Sequence, residues 1–371
     1  MMKDIKFGFC IPLFANPGML FFRTPAYKKL DWASIKETVL LCEDLDYDSV
    51  FVADHLFLGR NGDIWECLSV MAALLAVTRK IEVIPIHLCN NFRYPSVVAK
   101  ALATMSHIGS GRVVLFYDYG WRKAEFDNYG IDFGKTVEER IAQMAEGLEI
   151  MKGMLEQNKF SFTGKYYKIQ EAICNPKPVK RIPVWMGEAN HPAMVKHIVR
   201  FADVFNSMPC SLSAFQAKLN IIQKECRRQG RDFSKLGLSL ETQILIRETE
   251  GEVEQELKKY RGLIKHNNSY DADILAQLKA TNPQLTDYNS SEALKKEFMM
   301  GTPAMIKQQL KAFVDKGVSH FMLWFMDYPD TKGIRLFAEE VLPEYRSKVS
   351  FRRGALGQLL AFSLLIGKFL S

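Results

Sequence analysis

The feature that most limits what this chain can fold into is a regular exchange between short, apolar, β-branched runs and amphipathic segments of about 12–20 residues. Runs buried on both faces, each followed by a helical period, are the pattern of βα units around a parallel sheet. Eight runs read as strands: Ile5–Pro12, Ser49–Asp54, Ile81–Cys89, Arg112–Tyr119, Ile182–Gly187, Asp203–Met208, Leu236–Ile246 and His320–Asp327. Helices are expected after them at Trp32–Leu45, Trp65–Val77, Ser96–Ile108, Val137–Gln157, His191–Phe201, Ser213–Gln229, Glu252–Tyr260 and Thr331–Glu344. The fourth of these carries Ile141, Met144, Leu148, Met151 and Leu155 on one face. A further helix runs from Pro303 to Lys316, with Thr302 as its N-cap. Eight strands, each followed by a helix, make the full count of a (β/α)8 TIM barrel. The fold class is therefore α/β, a barrel with insertions after its fourth and seventh strands.

The first insertion, Phe160–Arg181, is polar, aromatic and Pro-rich and reads as a surface excursion. The second, residues 261–300, is polar and poorly periodic, and a loop of that length reads as an active-site flap. Residues 1–345 form the barrel domain, and residues 346–371 a basic, apolar tail. Within that tail, Gly354–Ser371 is marginal in length for a membrane span. A subunit-contact helix, a weak membrane-surface helix and a non-functional extension all stay open for it.

A chain of 371 residues could hold two domains or one large barrel, and the strand count decides for the barrel. The formal charge of +7 is uneven: Arg346, Lys348, Arg352, Arg353 and Lys368 supply five of it in the tail, leaving the body at +2. Such a body gives no electrostatic case for nucleic-acid binding. Seven scattered Cys, with no C-x-x-C, argue against a disulfide framework or structural zinc. No secretory signal is legible at MMKDIKFGFC, so a cytoplasmic protein is expected.

In a parallel barrel, polar side chains at the carboxyl ends of the strands converge on one catalytic face. Those ends supply Asp54-His55, Cys89-Asn90-Asn91, Asp118-Tyr119-Gly120-Trp121-Arg122, Gly187-Glu188-Ala189-Asn190 and Asp327. Asp54-His55 is the sharpest pair: a histidine at a strand tip can act as acid or base near neutral pH, with the aspartate orienting its imidazole. The reading beside it is an Asp that caps the next turn. Gly187-Glu188-Ala189-Asn190 joins a strand to a helix start, whose N–H groups and dipole suit a phosphate. An ordinary βα loop is the alternative. The other histidines do not cluster at ligand spacing, so no metal site is expected.

Several stretches carry a resemblance. DYDSVFVADHLF, NNFRYPSVVAKALATMSHIGSGRVVLFYDYGWRKAEFDNYGIDF, KTVEERIAQMAEGLEIMKGM, IPVWMGEAN, ADVFNSMP and GTPAMIKQQLKAFVDKGVSHFMLWF occur in the order seen in the luciferase-like monooxygenase superfamily. The likeness runs over roughly residues 5–345. It implies a flavin-dependent oxidoreductase or monooxygenase, with reduced FMN or the deazaflavin F420 at the barrel mouth and a small organic substrate. By that resemblance Asp54 and His55 are catalytic. Cys89, Asn90, Tyr119, Gly120 and Trp121 lie against the cofactor ring, and Gly187, Glu188, Ala189 and Asn190 bind its phosphate. A homo-oligomer, a dimer, is also implied.

This chain departs from the family in two places. Ala189 lacks the hydroxyl that follows the Glu in the luciferases, and Phe116-Tyr117-Asp118-Tyr119 replaces a glycine-rich turn. The Asp-His pair leans towards F420 members and Glu188 towards flavin members, so the cofactor choice stays open. The departures also motivate an alternative, a flavin-binding barrel that has lost turnover. A glycosidase-like use of Asp118 and Glu188 has no such resemblance behind it.

Overall fold

The structure, a computed structural model, describes residues 5–15, 24–59, 62–187, 191–264 and 291–346. Its strands are β1 (Lys6–Ile11), β2 (Ser49–Ala53), β3 (Glu82–Ile86), β4 (Leu88–Cys89), β5 (Leu115–Asp118), β6 (Phe160–Thr163), β7 (Lys168–Ala172), β8 (Val184–Met186), β9 (Val204–Ser207), β10 (Gly237–Ile246), β11 (Met299–Gly301) and β12 (His320–Phe325). Hydrogen bonding orders the main sheet β3-β2-β1-β12-β10-β9-β8-β5-β4, all parallel. A parallel bridge between Val83 and Val113 joins β3 to the chain entering β5 and brings the ring nearly to closure. The eight expected strands are therefore the ring, and a parallel α/β barrel is the fold.

Side-chain direction explains why the runs are apolar throughout. Successive residues of a strand point to opposite faces. On β1, Phe7, Phe9 and Ile11 pack outward under the helices, whereas Cys10 joins the cluster inside the ring. That inner cluster includes Phe51, Ile84, Phe116, Trp185, Met322 and Trp324. Phe51 and Phe116 each lie 5.9 Å from Trp185, centroid to centroid, so aromatic side chains fill the ring. All seven cysteines are buried and none forms a disulfide.

The outer helices are α1 (Trp32–Asp44), α2 (Cys67–Val77), α3 (Pro95–Ile108), α4 (Lys123–Tyr129), α5 (Val137–Glu156), α6 (Pro192–Phe201), α7 (Leu212–Gln229) and α8 (Glu250–Ile264). Three more follow at Ser291–Glu297, Pro303–Val314 and Lys332–Glu340. Asp31 caps α1, accepting from Ala33 N and Ser34 N, and Ser211 caps α7. Thr302 holds the N-cap position before Pro303, but its hydroxyl makes no capping bond.

Four details differ from the sequence reading. The third strand is interrupted: β3 and β4 are separate, and the Ile86–His87 peptide between them is cis. The Phe160–Arg181 excursion holds an antiparallel hairpin, β6–β7. The short helix α4 was not expected. The 261–300 stretch carries the end of α8, a helix and β11, which pairs with β10; residues 265–290, where most of the expected flap falls, lie outside the described residues. So does the tail beyond Arg346. Among the described residues no helix is long and apolar enough to cross a membrane.

Candidate functional site

At the carboxyl ends of β2, β4 and β5 a cleft is lined by Asp54, His55, Ile86, His87, Cys89, Phe92, Asp118, Gly120, Trp121 and Glu125. It holds about 40 Å3 and is partly open to solvent. A larger cavity of about 340 Å3 lies between α5 and α6, lined mostly by apolar side chains such as Leu148, Met151 and Phe201. The smaller cleft is the one on which titratable groups converge, and that convergence marks a site better than volume does.

His55 lies two residues past the end of β2. Its Nδ1 lies 2.8 Å from Oε2 of Glu125, and its ring meets Trp121 edge-on at 5.8 Å. Glu125 comes from α4, a helix that follows the β5 turn. Its Oε1 accepts the backbone N–H groups of Leu56 at 2.7 Å and Phe57 at 3.2 Å, so one buried carboxylate fixes both the loop and the imidazole. With Nδ1 engaged, Nε2 is the imidazole nitrogen left for chemistry in the cleft.

Asp54 points elsewhere. Arg93 grips its carboxylate with two bonds, 2.9 and 2.8 Å, and the Cys89 N–H adds a third at 2.8 Å. Burial works against the Arg93 charge, but the Asp54 carboxylate outweighs it and the guanidinium titrates above its ordinary range. The sequence reading set Asp54 to orient His55; the geometry gives that contact to Glu125, seventy positions along the chain. Asp54 instead ties the end of β2 to β4.

The second wall is His87 and Asp118, with Nδ1 and Oδ2 3.7 Å apart. Burial, reinforced by the nearby His55 charge, takes His87 down to about 3, and its Nε2 is buried without a partner among the described residues. Asp118 is pushed up to about 6 by burial, against the opposing pull of the Tyr119 N–H, Arg140 and His55. Burial, with the Asp54 charge behind it, raises the Cys89 thiol well above its ordinary value, so Cys89 serves as an apolar wall.

Asn90 is not on the cleft. Tyr117 donates to its Oδ1 at 2.6 Å and its Nδ2 donates to Tyr167 at 2.9 Å, on the outer side of the ring. Tyr119 is half-buried, with Arg140 5.7 Å from its ring. Gly187 is buried beside Phe116 and Asn206. Glu188, Ala189 and Asn190 lie outside the described residues. The helix they lead into, α6, starts at Pro192, with His191 accepting from Ala193 N at 3.2 Å. Glu125 and Arg93 were not singled out by the sequence reading, which left open the direction in which His87 faces. Among the described residues no group of three or more His, Cys, Asp or Glu is placed to hold a metal.

Gly120 closes the site's floor. Its φ is +77°, and an added Cβ would sit 2.7 Å from the Cys89 sulfur and 2.9 Å from the Phe126 ring. Gly120→Ala is expected to cost about 1–3 kcal/mol through left-handed backbone strain and overpacking. A denaturant midpoint unchanged from wild type would contradict that packing.

The donor set suits a planar, hydrogen-bonding ring. Trp121, Ile86 and Phe92 supply flat or apolar walls, and the partnerless Nε2 of His87 is a buried polar atom that a ligand can satisfy.

A model of the luciferase-like monooxygenase family matches residues 14–320. An F420-dependent glucose-6-phosphate dehydrogenase from Amycolatopsis mediterranei is 24% identical over 84% of this chain and 94% of its own length. An FMNH(2)-dependent dimethylsulfone monooxygenase from Pseudomonas putida is 25% identical over 96% of this chain and 99% of its own. Among solved structures, an F420-dependent secondary alcohol dehydrogenase in complex with an F420–acetone adduct superposes with a TM-score of 0.72 at 21% identity. That superposition covers 93% of this chain and all of the other.

Proposed function

Because the chain belongs to the luciferase-like monooxygenase family, we propose that it is an oxidoreductase that works with reduced FMN or coenzyme F420 at the carboxyl face of its barrel. The relatives named above use one or the other. The substrate is a small organic molecule, and the bound cofactor supplies hydride, or electrons for oxygen, at the reacting carbon.

The observation that carries this reading is the His55–Glu125 pair beside Trp121 on the cleft. When Nδ1–H donates to Glu125, Nε2 carries the lone pair and takes a proton from a substrate hydroxyl or returns one to it. Two backbone N–H bonds hold Glu125, so the imidazole is placed before substrate arrives. Asp54 acts at one remove, keeping the strand end that precedes His55 against β4. Trp121, Ile86 and Phe92 exclude water from the transferring atoms. For the phosphate we assign the turn from Gly187 through Glu188, Ala189 and Asn190 into α6, since the positive end of the helix dipole favours an anion there.

Titrating the full chain with FMN and with F420, followed by cofactor fluorescence, tests the reading. Saturable binding of one of them is expected; binding of neither would end the proposal.

A further inference from the structure

Two histidine–carboxylate pairs face the cleft, and they are held in different ways. Three buried carboxylates elsewhere in this fold meet strong donors. Asp54 has the Arg93 guanidinium, and Asp327 has Arg247 at 2.9 Å and the Gly333 N–H at 2.8 Å. Glu43 accepts the N–H groups of Arg79, Lys80 and Ile81. Asp118 is poorer. It is 8% exposed, and its Oδ1 takes one N–H, from Tyr119 at 2.6 Å. Its Oδ2 faces His87 across 3.7 Å, beyond hydrogen-bond distance.

Neither neighbouring base donates a hydrogen bond to it, and Arg140 only offsets its burial from a distance. His87 is kept uncharged by burial. Arg140, on α5, donates its Nε to Gly120 O at 3.2 Å and lies 3.9 Å over the Phe133 ring. A buried carboxylate with so little support holds a proton more readily than its exposed counterpart.

We propose that Asp118 works as a neutral acid, its carboxyl O–H donating a hydrogen bond to an acceptor atom, a carbonyl oxygen or ring nitrogen, of the bound redox ring. This rests on the reading that the ring binds at this mouth. Asp118 therefore selects for a ligand edge that accepts hydrogen bonds, a task separate from the proton transfer given to His55.

The electrostatics agree in direction. Burial already lifts Asp118 to about 6, and a ring lying over the cleft would remove more water and lift it further. The groups facing it are His87 from the β3–β4 junction, His55 from beyond the end of β2, Cys89 from β4, Tyr119 just past its own strand and Arg140 from α5. Binding that needs the neutral acid costs nothing extra below pH 6. Above it, a proton must be taken up with the ligand, and affinity falls towards tenfold per pH unit.

The test measures FMN and F420 dissociation constants from pH 5 to 8 for the full-length wild type, Asp118→Asn and Asp118→Ala. The FMN phosphate titrates near pH 6 itself, so the difference between wild type and variant is the quantity read. Asparagine mimics the protonated acid, accepting at one atom and donating at the other. Asp118→Asn is expected to match wild type within about threefold at pH 5.5 and to bind about tenfold more tightly at pH 7.5. Asp118→Ala, which loses the donor, is expected to bind about tenfold more weakly at pH 5.5. Parallel pH profiles for wild type and Asp118→Asn overturn the inference, as does an Asp118→Ala protein that binds like wild type at pH 5.5. Failure of wild type to bind either cofactor overturns the proposed function instead.

Discussion

Replacing His55 with alanine is expected to lower turnover by about 10²–10⁴-fold while cofactor still binds, the range by which one positioned acid–base group contributes. The imidazole touches the cleft through Nε2, whereas its Nδ1 is spent on Glu125, so truncation removes the proton carrier and leaves the apolar walls standing. Glu125→Gln separates positioning from transfer. Its amide oxygen can still accept from Leu56 N and Phe57 N, but the charge that organises the imidazole is gone. An intermediate loss, with a shifted pH profile of kcat, is expected for it. Single-turnover rates with reduced cofactor make the measurement. A His55→Ala protein as fast as wild type would remove this residue from the chemistry and favour a binding protein without turnover.

Arg93→Ala is expected to destabilise the fold by about 3–5 kcal/mol, because removing one partner of a buried ion pair strands the other. The Asp54 side chain is wholly buried, and without Arg93 it keeps only the Cys89 N–H among its described contacts. The carboxylate of Glu66, 2.5 Å from Arg93 and partly exposed, would lose its ion-pair partner too, at little cost because water can reach it and Leu68 N, Ser69 N and the Ser69 hydroxyl still donate to it. Since Asp54 precedes His55, activity should fall along with stability. The denaturant midpoint reports the first effect, and a loss under 1 kcal/mol would mean that water or a rearranged side chain replaces the guanidinium.

The two substitutions mark how far the sequence could be read. Ring order and strand count were legible because each buried strand must be apolar on both faces, and that leaves a long, repeated trace such as SVFVA or HFMLWF. The hairpin β6–β7 was not, since its strands are short and largely exposed, and the apolar alternation of β6 spans only four residues. At the site, residues adjacent in the sequence were taken as partners. Alternation argues otherwise: Phe51, Ala53 and His55 share one face of β2, and Asp54 belongs to the other, where Arg93 waits. The same rule separates Asp118, on the cleft, from Tyr117, which reaches outward to Asn90. Glu125 left less trace. It lies on a seven-residue helix, and nothing local links it to His55. Closure of the ring brings β2 and the turn after β5 together, and that is a property of the whole fold.

The pairing of β11 with β10 has a consequence for how such a protein diversifies. The chain leaves the ring at Ile246 and returns through Met299–Gly301 to the very strand it left, with Val253, Leu257 and Tyr260 on the outgoing side buried in one cluster with Leu294, Phe298 and Met300 on the returning side. Departure and return are clamped locally, so lengthening or rewriting what lies between them perturbs the ring little; doubling such a stretch adds about 0.6 kcal/mol of closure entropy. The stretch between them can therefore change in length and sequence while the machinery around His55 stays fixed.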